Sequence, residues 1–253
     1  RGKITQLANG VTQDVSNGWF VGQPLDVFYD YKKLGIWQNT PQDSALAKSL
    51  GLTLTGTSSV IGTIKVADLN GPNGKPDGKI DATYDRMIIG TPQPKWEGGT
   101  TQRVSYRGFD FTVVAFARMG AMMFSSLEGG NFVNTYQGTY NNLKVDYWTP
   151  VNHQNSFPKA NAATTNPAYR SLLGYFDGSF IKVRSLSLGY NLPQSIVQKF
   201  SGRSLRVYAT ASDPFILFAP YRQYGGIDPE GAGTVGIDTP STWSLIFGVN
   251  LSF

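Results

Sequence analysis

The 253-residue chain contains no cysteine and only one histidine, His153. The lack of cysteine excludes a disulfide framework, a thiolate metal site and a cysteine nucleophile. A single histidine nearly excludes multi-histidine zinc sites and histidine-based catalytic triads. His153 lies in the polar stretch Asn-His-Gln-Asn-Ser, so we interpret it as a solvated loop residue.

Charged residues are scarce, at 15% of the chain against about 25% in an average soluble protein. The 22 lysines and arginines exceed the 17 acidic residues by five, but the basic residues are dispersed. No basic block that would follow a phosphate backbone occurs, so we do not expect nucleic-acid binding. The three glutamates, Glu97, Glu128 and Glu230, have no carboxylate partner at a useful spacing, so we do not expect an enzyme.

Long apolar runs are also missing. No stretch of 18 apolar residues occurs, which excludes a transmembrane helix, but a β-barrel crosses a membrane with alternating strands of ~9–11 residues. The chain begins Arg1-Gly2-Lys3-Ile4 without the apolar region of a signal peptide. We therefore expect either that a signal was removed or that this is the downstream part of a longer chain.

The segment Ser241–Phe253 carries the clearest pattern in the sequence. One set of alternate residues is entirely apolar or aromatic, and the other set is small or polar except for Ile246. Such alternation predicts a β-strand with one apolar face. The aromatic residues at its two ends, Trp243 and Phe253, are typical of outer-membrane strands, where aromatic girdles flank an apolar band.

Connections of alternating length separate the predicted strands. The connections 106–109 and 191–202 are short, whereas 38–94, 121–178 and 218–240 are long. This alternation predicts an all-β fold in which the strands form the wall of an antiparallel transmembrane β-barrel with long extracellular loops. The six predicted strands are Pro24–Trp37, Lys95–Tyr106, Phe109–Gly120, Ser179–Asn191, Ser204–Leu217 and Ser241–Phe253.

One of these strands, Ser179–Asn191, breaks the alternation near its middle. Ile181 and Val183 share one face, but the later apolar residues fall on the parity of Lys182. We expect either a β-bulge that restores one apolar face or apolar packing against the lower half of the other face. The later apolar residues are Leu186, Leu188 and Tyr190.

A series of short motifs occurs in a fixed order along nearly the whole chain. They are 22–31 with 35–38, 68–70 with 77–81, Asp85-Arg86 with 88–92, 178–184 with 188–193, Tyr221, 225–230 and the terminal strand. Each motif alone is weak. The ordered set resembles the C-terminal part of the barrel of SusC/RagA-type TonB-dependent transporters of Bacteroidetes outer membranes.

This resemblance implies a barrel of about 22 strands closed by an N-terminal plug, of which this chain supplies about six C-terminal strands. Residues 1–253 are then the C-terminal portion of a receptor barrel, with the plug and earlier strands outside the chain. The resemblance also implies an outer-membrane nutrient importer that works with a SusD-like surface lipoprotein and TonB in the lipid bilayer. An oligosaccharide is the favoured substrate, and a peptide, as in RagA-type importers, is the alternative.

A loop rich in acidic residues and glycines lies between two of the predicted strands. Its oxygen-bearing residues combine Asp-x-Asn with Asp-Gly-x-Ile-Asp, a spacing similar to that of a calcium loop. The match is imperfect because residues 71–76 interrupt it and no closing glutamate follows, so a self-capping surface turn is the alternative. The candidate calcium ligands are Asp68, Asn70, Asp77, Asp81 and Asp85. No other cofactor is expected.

Aromatic residues in the long connections, surrounded by Asn, Gln and Thr, are candidates for substrate contact. Aromatic faces stack on sugar rings and amides bind hydroxyl groups, although the same residues also suit peptides or simple loop packing. The candidates are Tyr136, Tyr140, Tyr147, Trp148 and Tyr169.

Two alternatives to an energised importer are a soluble extracellular β-rich carbohydrate-binding module and a passive porin-like channel. A membrane wall requires certain apolar side chains to face outward without protein over them, whereas a soluble module must bury them. The side chains that separate these alternatives are Trp243, Phe247, Phe111 and Ile181.

Overall fold

The computed structural model describes residues 2–130, 145–160, 167–225, 228–230, 234–235 and 242–253. The strands in these ranges are β1 (Gln13–Asp14), β2 (Trp19–Phe20), β3 (Phe28–Tyr31), β4 (Lys33–Ile36), β5 (Ile64–Val66), β6 (Arg86–Gly90), β7 (Trp96–Tyr106), β8 (Phe109–Met119), β9 (Met122–Ser125), β10 (Tyr175–Asp177), β11 (Phe180–Asn191), β12 (Ser204–Phe218), β13 (Thr234–Val235) and β14 (Ser244–Ser252). The α-helices are α1 (Pro41–Ser49), α2 (Ser126–Gly129), α3 (Gln194–Val197) and α4 (Arg222–Gly225). Short 3-10 helices cover Ala8–Gly10, Arg170–Leu173 and Gln198–Phe200. None of the helices in the described ranges has the length and apolarity needed to cross a membrane.

Five long strands form one antiparallel sheet in the order β7-β8-β11-β12-β14. Each strand pairs with the next one of the sheet along the chain, as in a barrel meander. The links β7–β8 and β11–β12 lie at one end, and the longer connections β8–β11 and β12–β14 lie at the other. Arg107 and Gly108 both have positive φ, which matches the right-handed twist of the strands that this tight turn joins.

The irregular alternation in Ser179–Asn191 is resolved by a β-bulge. Val183 pairs with Ala115 and Ser185 pairs with Val114, so Arg184 has no partner on β8. The slip moves Leu186 and the following apolar residues to the same side as Ile181, as the bulge interpretation predicted. A matching irregularity in β12 leaves Asp213 and Pro214 unpaired, a position that suits proline because it has no N–H to donate.

The remaining described residues form a second region, which we call the loop region: the residues before β7 and those of the connections β8–β11 and β12–β14. It contains small sheets, β3–β6, β4–β5 and β9–β10–β13, and encloses a core of its own. The buried residues of this core are Ile36, Ile64, Val66, Trp148, Phe157, Leu172 and Leu173.

The prediction of one barrel strand over Pro24–Trp37 is wrong. The segment forms two four-residue strands, β3 and β4, which pair with β6 and β5 inside the loop region. The physical reason is visible in its composition, because Phe28 lies on the same parity as Asp26 and Asp30. The segment therefore has no clean apolar face, and Asp30 is buried in the loop region instead.

Candidate functional site

The five-stranded sheet has one apolar face, which we call the apolar face. Paired residues share a side of a sheet, so the register places Phe247, Ala209, Leu188, Phe111 and Val104 in one row on it. The neighbouring rows are apolar as well, with the exceptions of Thr100 and Gln102, which bond each other through side-chain atoms 2.8 Å apart.

No other part of the described chain covers most of this face. Trp243 is 68% exposed, Phe247 75% and Phe111 38%, while Ile181 is half-buried. A soluble module must bury such side chains, because exposed apolar area of this size is unfavourable in water. The exposure therefore matches a membrane wall and argues against the soluble alternative.

Aromatic side chains lie at both ends of the apolar face. Trp96 and Trp243 lie at the end with the long connections, and Tyr106, Phe109 and Phe253 lie at the other. β7 has 11 residues, which gives a length of about 33 Å at the usual rise per residue. At a tilt of ~40° this corresponds to a height of about 25 Å, the height of the apolar band in outer-membrane barrels.

The opposite side of the sheet, which we call the polar face, carries charges that are paired across strands. Arg206 on β12 reaches over β11 and makes a bidentate ion pair with Asp110 on β8, at 2.6 and 3.0 Å. This crossing depends on Gly189, because a Cβ there would lie 2.6 Å from the Asp110 carboxylate. The Arg206 guanidinium also lies 5.1 Å from the centre of the Tyr208 ring. The sheet is therefore polar and charged on one side only.

An ion cluster fixes part of the β12–β14 connection to the polar face. The ammonium of Lys182, which is buried, lies 2.9 Å from Asp213, 2.5 Å from Asp228 and 2.9 Å from Glu230. Arg184, the bulged residue of β11, forms an ion pair with Glu230 as well. The two strand irregularities thus bring Arg184 and Asp213 to the same cluster. We call these five residues the Lys182 cluster.

Of the five aromatic candidates for substrate contact, Tyr136 and Tyr140 lie outside the described residues. Trp148 is buried in the core of the loop region, and its indole N–H donates to the Gln38 amide oxygen at 2.7 Å. His153 is exposed and stacks on Trp148 with ring centres 6.1 Å apart. A cavity of about 600 Å³ lies beside Trp148, between residues 54–61 and 149–160.

Tyr147 and Tyr169 are half-buried and pack against the same core. Tyr169 meets Tyr31 edge to face at 4.9 Å, and burial raises the pKa of its hydroxyl. The structure therefore gives Tyr147, Trp148 and Tyr169 packing partners, and their contact with substrate stays a prediction.

The acidic loop is organised around Asp85, which is fully buried. Its two carboxylate oxygens accept hydrogen bonds from the backbone N–H groups of Leu69, Asn70 and Asp81. Asp81 in turn accepts from the N–H groups of residues 83 and 84, and Asp77 from that of residue 79. These three carboxylates thus cap local backbone, as in the self-capping alternative.

Asp68 and Asn70 differ from the other acidic-loop residues. One Asp68 oxygen accepts from the N–H of Gly78 at 2.8 Å, but its Oδ1 is buried without a hydrogen-bond partner, and so is Oδ1 of Asn70. Within the described ranges, no three carboxylate or imidazole side chains converge as a metal site. Calcium binding by this loop stays a prediction.

Two polar groups of the loop region were not singled out from the sequence as site residues. Glu128, Ser125 and Tyr221 are buried together, with the Tyr221 hydroxyl 2.8 Å from Ser125 Oγ and 3.3 Å from a Glu128 oxygen. Burial raises the pKa of the Glu128 carboxyl. This contact joins the two long connections of the sheet. The second group is Lys33, which directly follows Lys32 in the sequence and lines a cavity.

Part of the sequence of TonB-dependent receptors is similar to this chain. No family model matches the chain. It is 28% identical over 251 residues to the TonB-dependent receptor P3 of Formosa agariphila and 26% identical over 198 residues to the TonB-dependent receptor SusC of Bacteroides thetaiotaomicron. These alignments cover 92% and 72% of this chain but only 22% and 18% of the two receptors. The chain thus spans about a fifth of the length of these curated relatives.

Solved structures show the same fold. The RagAB peptide importer in its open-open state matches 99% of this chain and 25% of its own with a TM-score of 0.66 at 20% identity. Another RagAB structure gives the same TM-score at 23% identity. The predicted fold class, strands of a larger antiparallel barrel, is confirmed, and so is the predicted resemblance to SusC/RagA-type receptors.

Proposed function

We propose, from the similarity of this chain to SusC/RagA-type TonB-dependent receptors, that it forms part of the wall of an outer-membrane nutrient importer. The observation that carries this proposal is the uncovered apolar face, with aromatic residues at both ends and a charged face behind it. In the membrane, the apolar face contacts lipid and the polar face lines the interior of the barrel. The long connections then lie on the extracellular side.

We further propose an oligosaccharide as the substrate, captured together with a SusD-like surface lipoprotein. The aromatic and amide residues of the long connections favour this substrate class, because they suit sugar rings. A peptide is the second candidate, and its support is the structural likeness to an importer described as a peptide importer. In either case TonB supplies the pull that opens a passage, and this wall performs no covalent chemistry.

Deleting the gene for the full-length receptor tests this proposal. Growth of the deletion strain is measured on a panel of oligosaccharides and on a panel of peptides, with membrane fractionation of the complemented strain. We expect the receptor in the outer membrane and loss of growth on a subset of oligosaccharides. Growth lost only on peptides supports the second candidate, and a receptor found in the soluble fraction contradicts both.

We also propose that the acidic loop binds Ca²⁺ through Asp68 and Asn70. Buried oxygens without a donor are rare in native proteins, and a bound ion is one of the few ways to satisfy them. Asp77 packs directly on Gly71, so it lies beside the same stretch of backbone. With few charged ligands, the site belongs to the weak extracellular class, with dissociation constants of about 0.1–1 mM.

Thermal unfolding of the full-length receptor with Ca²⁺ and with chelator tests the calcium site. We expect Ca²⁺ to raise the unfolding temperature of the natural protein and of an Asp14→Asn control, because Asp14 is distant in sequence and bonds only its own turn. Asp68→Asn should abolish the shift. An unchanged shift in Asp68→Asn, or no shift in the natural protein, contradicts the proposal.

A further inference from the structure

A cavity of about 400 Å³ lies in the loop region, between residues 33–35, 155–157 and 172–176. Its lining combines apolar and aromatic side chains with the polar residues Asn155 and Ser156, and its ionisable side chains are Lys33 and Tyr175. Apolar walls with a few polar groups are the usual composition of a small-molecule site. The apolar lining consists of Leu34, Phe157, Leu172, Leu173 and Phe176.

The backbone around Lys33 is fixed by two long-range contacts. Gly35 has a φ of +126°, and a Cβ there would lie 2.7 Å from the Asn155 amide oxygen. That oxygen accepts the N–H of Ile36 at 3.1 Å, which holds residues 155–157 across β4. The Lys33 side chain donates to the carbonyl of Ser156. The ammonium at the cavity is therefore positioned by the fold.

Within the described ranges, the Lys33 ammonium has no counter-charge. In the described part of the chain it makes no ion pair, and the sequence contains only one acidic residue outside that part, Asp238. No Asp or Glu lines the cavity. One carbonyl satisfies only one of its three N–H donors. A half-buried charge without a counter-charge is unfavourable. An anion that enters the cavity would therefore be attracted by the ammonium and would accept hydrogen bonds from its remaining N–H groups.

The carboxylate that contacts the cavity residue Tyr175 already accepts two hydrogen bonds. Asp30 accepts the Tyr175 hydroxyl at 3.1 Å and the N–H of Tyr31 at 2.8 Å. Burial, and then the Asp30 charge, raise the pKa of Tyr175, so the phenol stays neutral. Burial lowers the pKa of Lys33 to about 8, which leaves most of the ammonium protonated at neutral pH. The cavity therefore carries a net positive charge.

We propose that this cavity binds a carboxylate attached to an apolar or ring-shaped body, with Lys33 as its counter-charge and the aromatic walls against the body. Two sources share this chemistry, the C-terminus of a peptide and an acidic sugar. The cavity thereby selects for charge on whichever substrate class the receptor takes. This binding proposal rests on the proposed function only for where the ligand comes from. Binding itself is measured without transport.

The test is a titration of the purified full-length receptor with four small probes. N-acetyl-leucine and N-acetyl-leucinamide differ only in the carboxylate, and glucuronic acid and glucose differ in the same way. We expect at least one acid to bind ten times more tightly than its neutral counterpart. Binding of N-acetyl-leucine alone identifies a peptide terminus, and binding of glucuronic acid alone identifies an acidic sugar. No preference for either acid overturns the proposal.

Variants at and beside Lys33 separate a binding role from a folding role. Lys33→Gln should lose the preference for the acid, whereas Lys33→Arg should keep it because the charge remains. Lys32→Gln is the matched control, since Lys32 is the exposed neighbour. An acid preference that survives in Lys33→Gln overturns the proposal. These results are independent of uptake, so failure of the importer proposal leaves them interpretable.

Discussion

The five-stranded sheet and the loop region place the same kinds of side chain in opposite surroundings. Phe247 in the sheet is 75% exposed, whereas Phe157 in the loop region is 4% exposed. The sheet leaves a continuous apolar face uncovered, while the loop region closes a core of aliphatic and aromatic residues around Trp148. Protein covers the apolar side chains of one region, and lipid is expected to cover those of the other.

The two regions depend on different interactions. Packing inside the protein stabilises the loop region, so removal of buried volume is costly there. Most of the apolar face of the sheet has no packing partner in the described part of the chain. Its tolerance of substitutions is therefore expected to depend on the polarity of the new residue and its depth in the membrane. Substitutions that affect one region should therefore leave the other largely unchanged.

The largest effect is expected from Phe157→Ala. Loss of this buried ring should cost the loop region about 3–5 kcal/mol, and amide exchange in β4 and β5 should become at least ~100-fold faster. Hydrogen-exchange mass spectrometry measures both regions at once. Val151→Ala is the control, because Val151 is 96% exposed. Equal loss of protection in β8 and β11 would contradict the separation of the two regions.

The next effect is expected from Phe247→Arg, which places a charge on the apolar face. A charge at the middle of this face should cost about 2–4 kcal/mol in the membrane, so the yield of assembled receptor should fall. Ile246→Arg is the matched control, since Ile246 is the adjacent residue on the polar face. Heat-modifiable migration in gels reports assembly. Equal yields of the two variants would argue against a lipid-facing role for Phe247.

A smaller effect is expected from Lys182→Met, which leaves three carboxylates of the Lys182 cluster without their ammonium. The cost should be about 2 kcal/mol, below that of a fully buried pair, because the carboxylates keep some contact with water. Limited proteolysis should then cut residues 219–240 faster. The control Lys199→Met changes an exposed residue, and its connection should be cleaved at the same rate as in the natural protein. Unchanged cleavage in Lys182→Met would show that the cluster does not anchor this connection.

The smallest effect concerns the pH dependence of Lys33. Its folded-state pKa of about 8 lies below the value of an unfolded lysine, so the folded side chain loses its proton first as the pH rises. Amine-reactive labelling of Lys33 should therefore rise with an inflection near pH 8. Mass spectrometry of labelled peptides measures this profile. An inflection near the ordinary lysine value of ~10.4 would contradict burial of an uncompensated ammonium.

The sheet was predictable from sequence because its alternation is a local property. Alternation predicted the last five strands, and the broken parity near Lys182 predicted either a bulge or apolar packing, of which the structure shows the bulge. The long connections were predictable in length but not in structure. Their core joins Ile36, Trp148 and Leu172, which lie far apart in sequence, and no short-range pattern encodes that association.

The candidate sites show the same limit. Asp-x-Asn spacing drew attention to Asp68 and Asn70, but only the structure separates their free oxygens from the capping role of Asp85. Lys33 gave no signal of its own, because it lies beside Lys32 in the segment Pro24–Trp37 that was wrongly predicted as one strand. The surroundings of Lys33 are formed by three segments that lie far apart in sequence. Sequence alone therefore does not reveal that a counter-charge is missing from the described residues.

The apolar face of the sheet is expected to contact lipid. Single cysteines from Trp243 to Ser252, spin-labelled in the full-length receptor in bilayers, test it most directly. Residues 1–253 contain no cysteine, and position 248 is omitted because a Cβ there would lie 2.2 Å from the Tyr208 ring. Collision with oxygen and with a water-soluble nickel complex is measured at each position. If the apolar face contacts lipid, oxygen maxima lie at 245, 247, 249 and 251 and alternate with lower values at 244, 246 and 250. A profile without this two-residue period, or with maxima at the even positions, would contradict it.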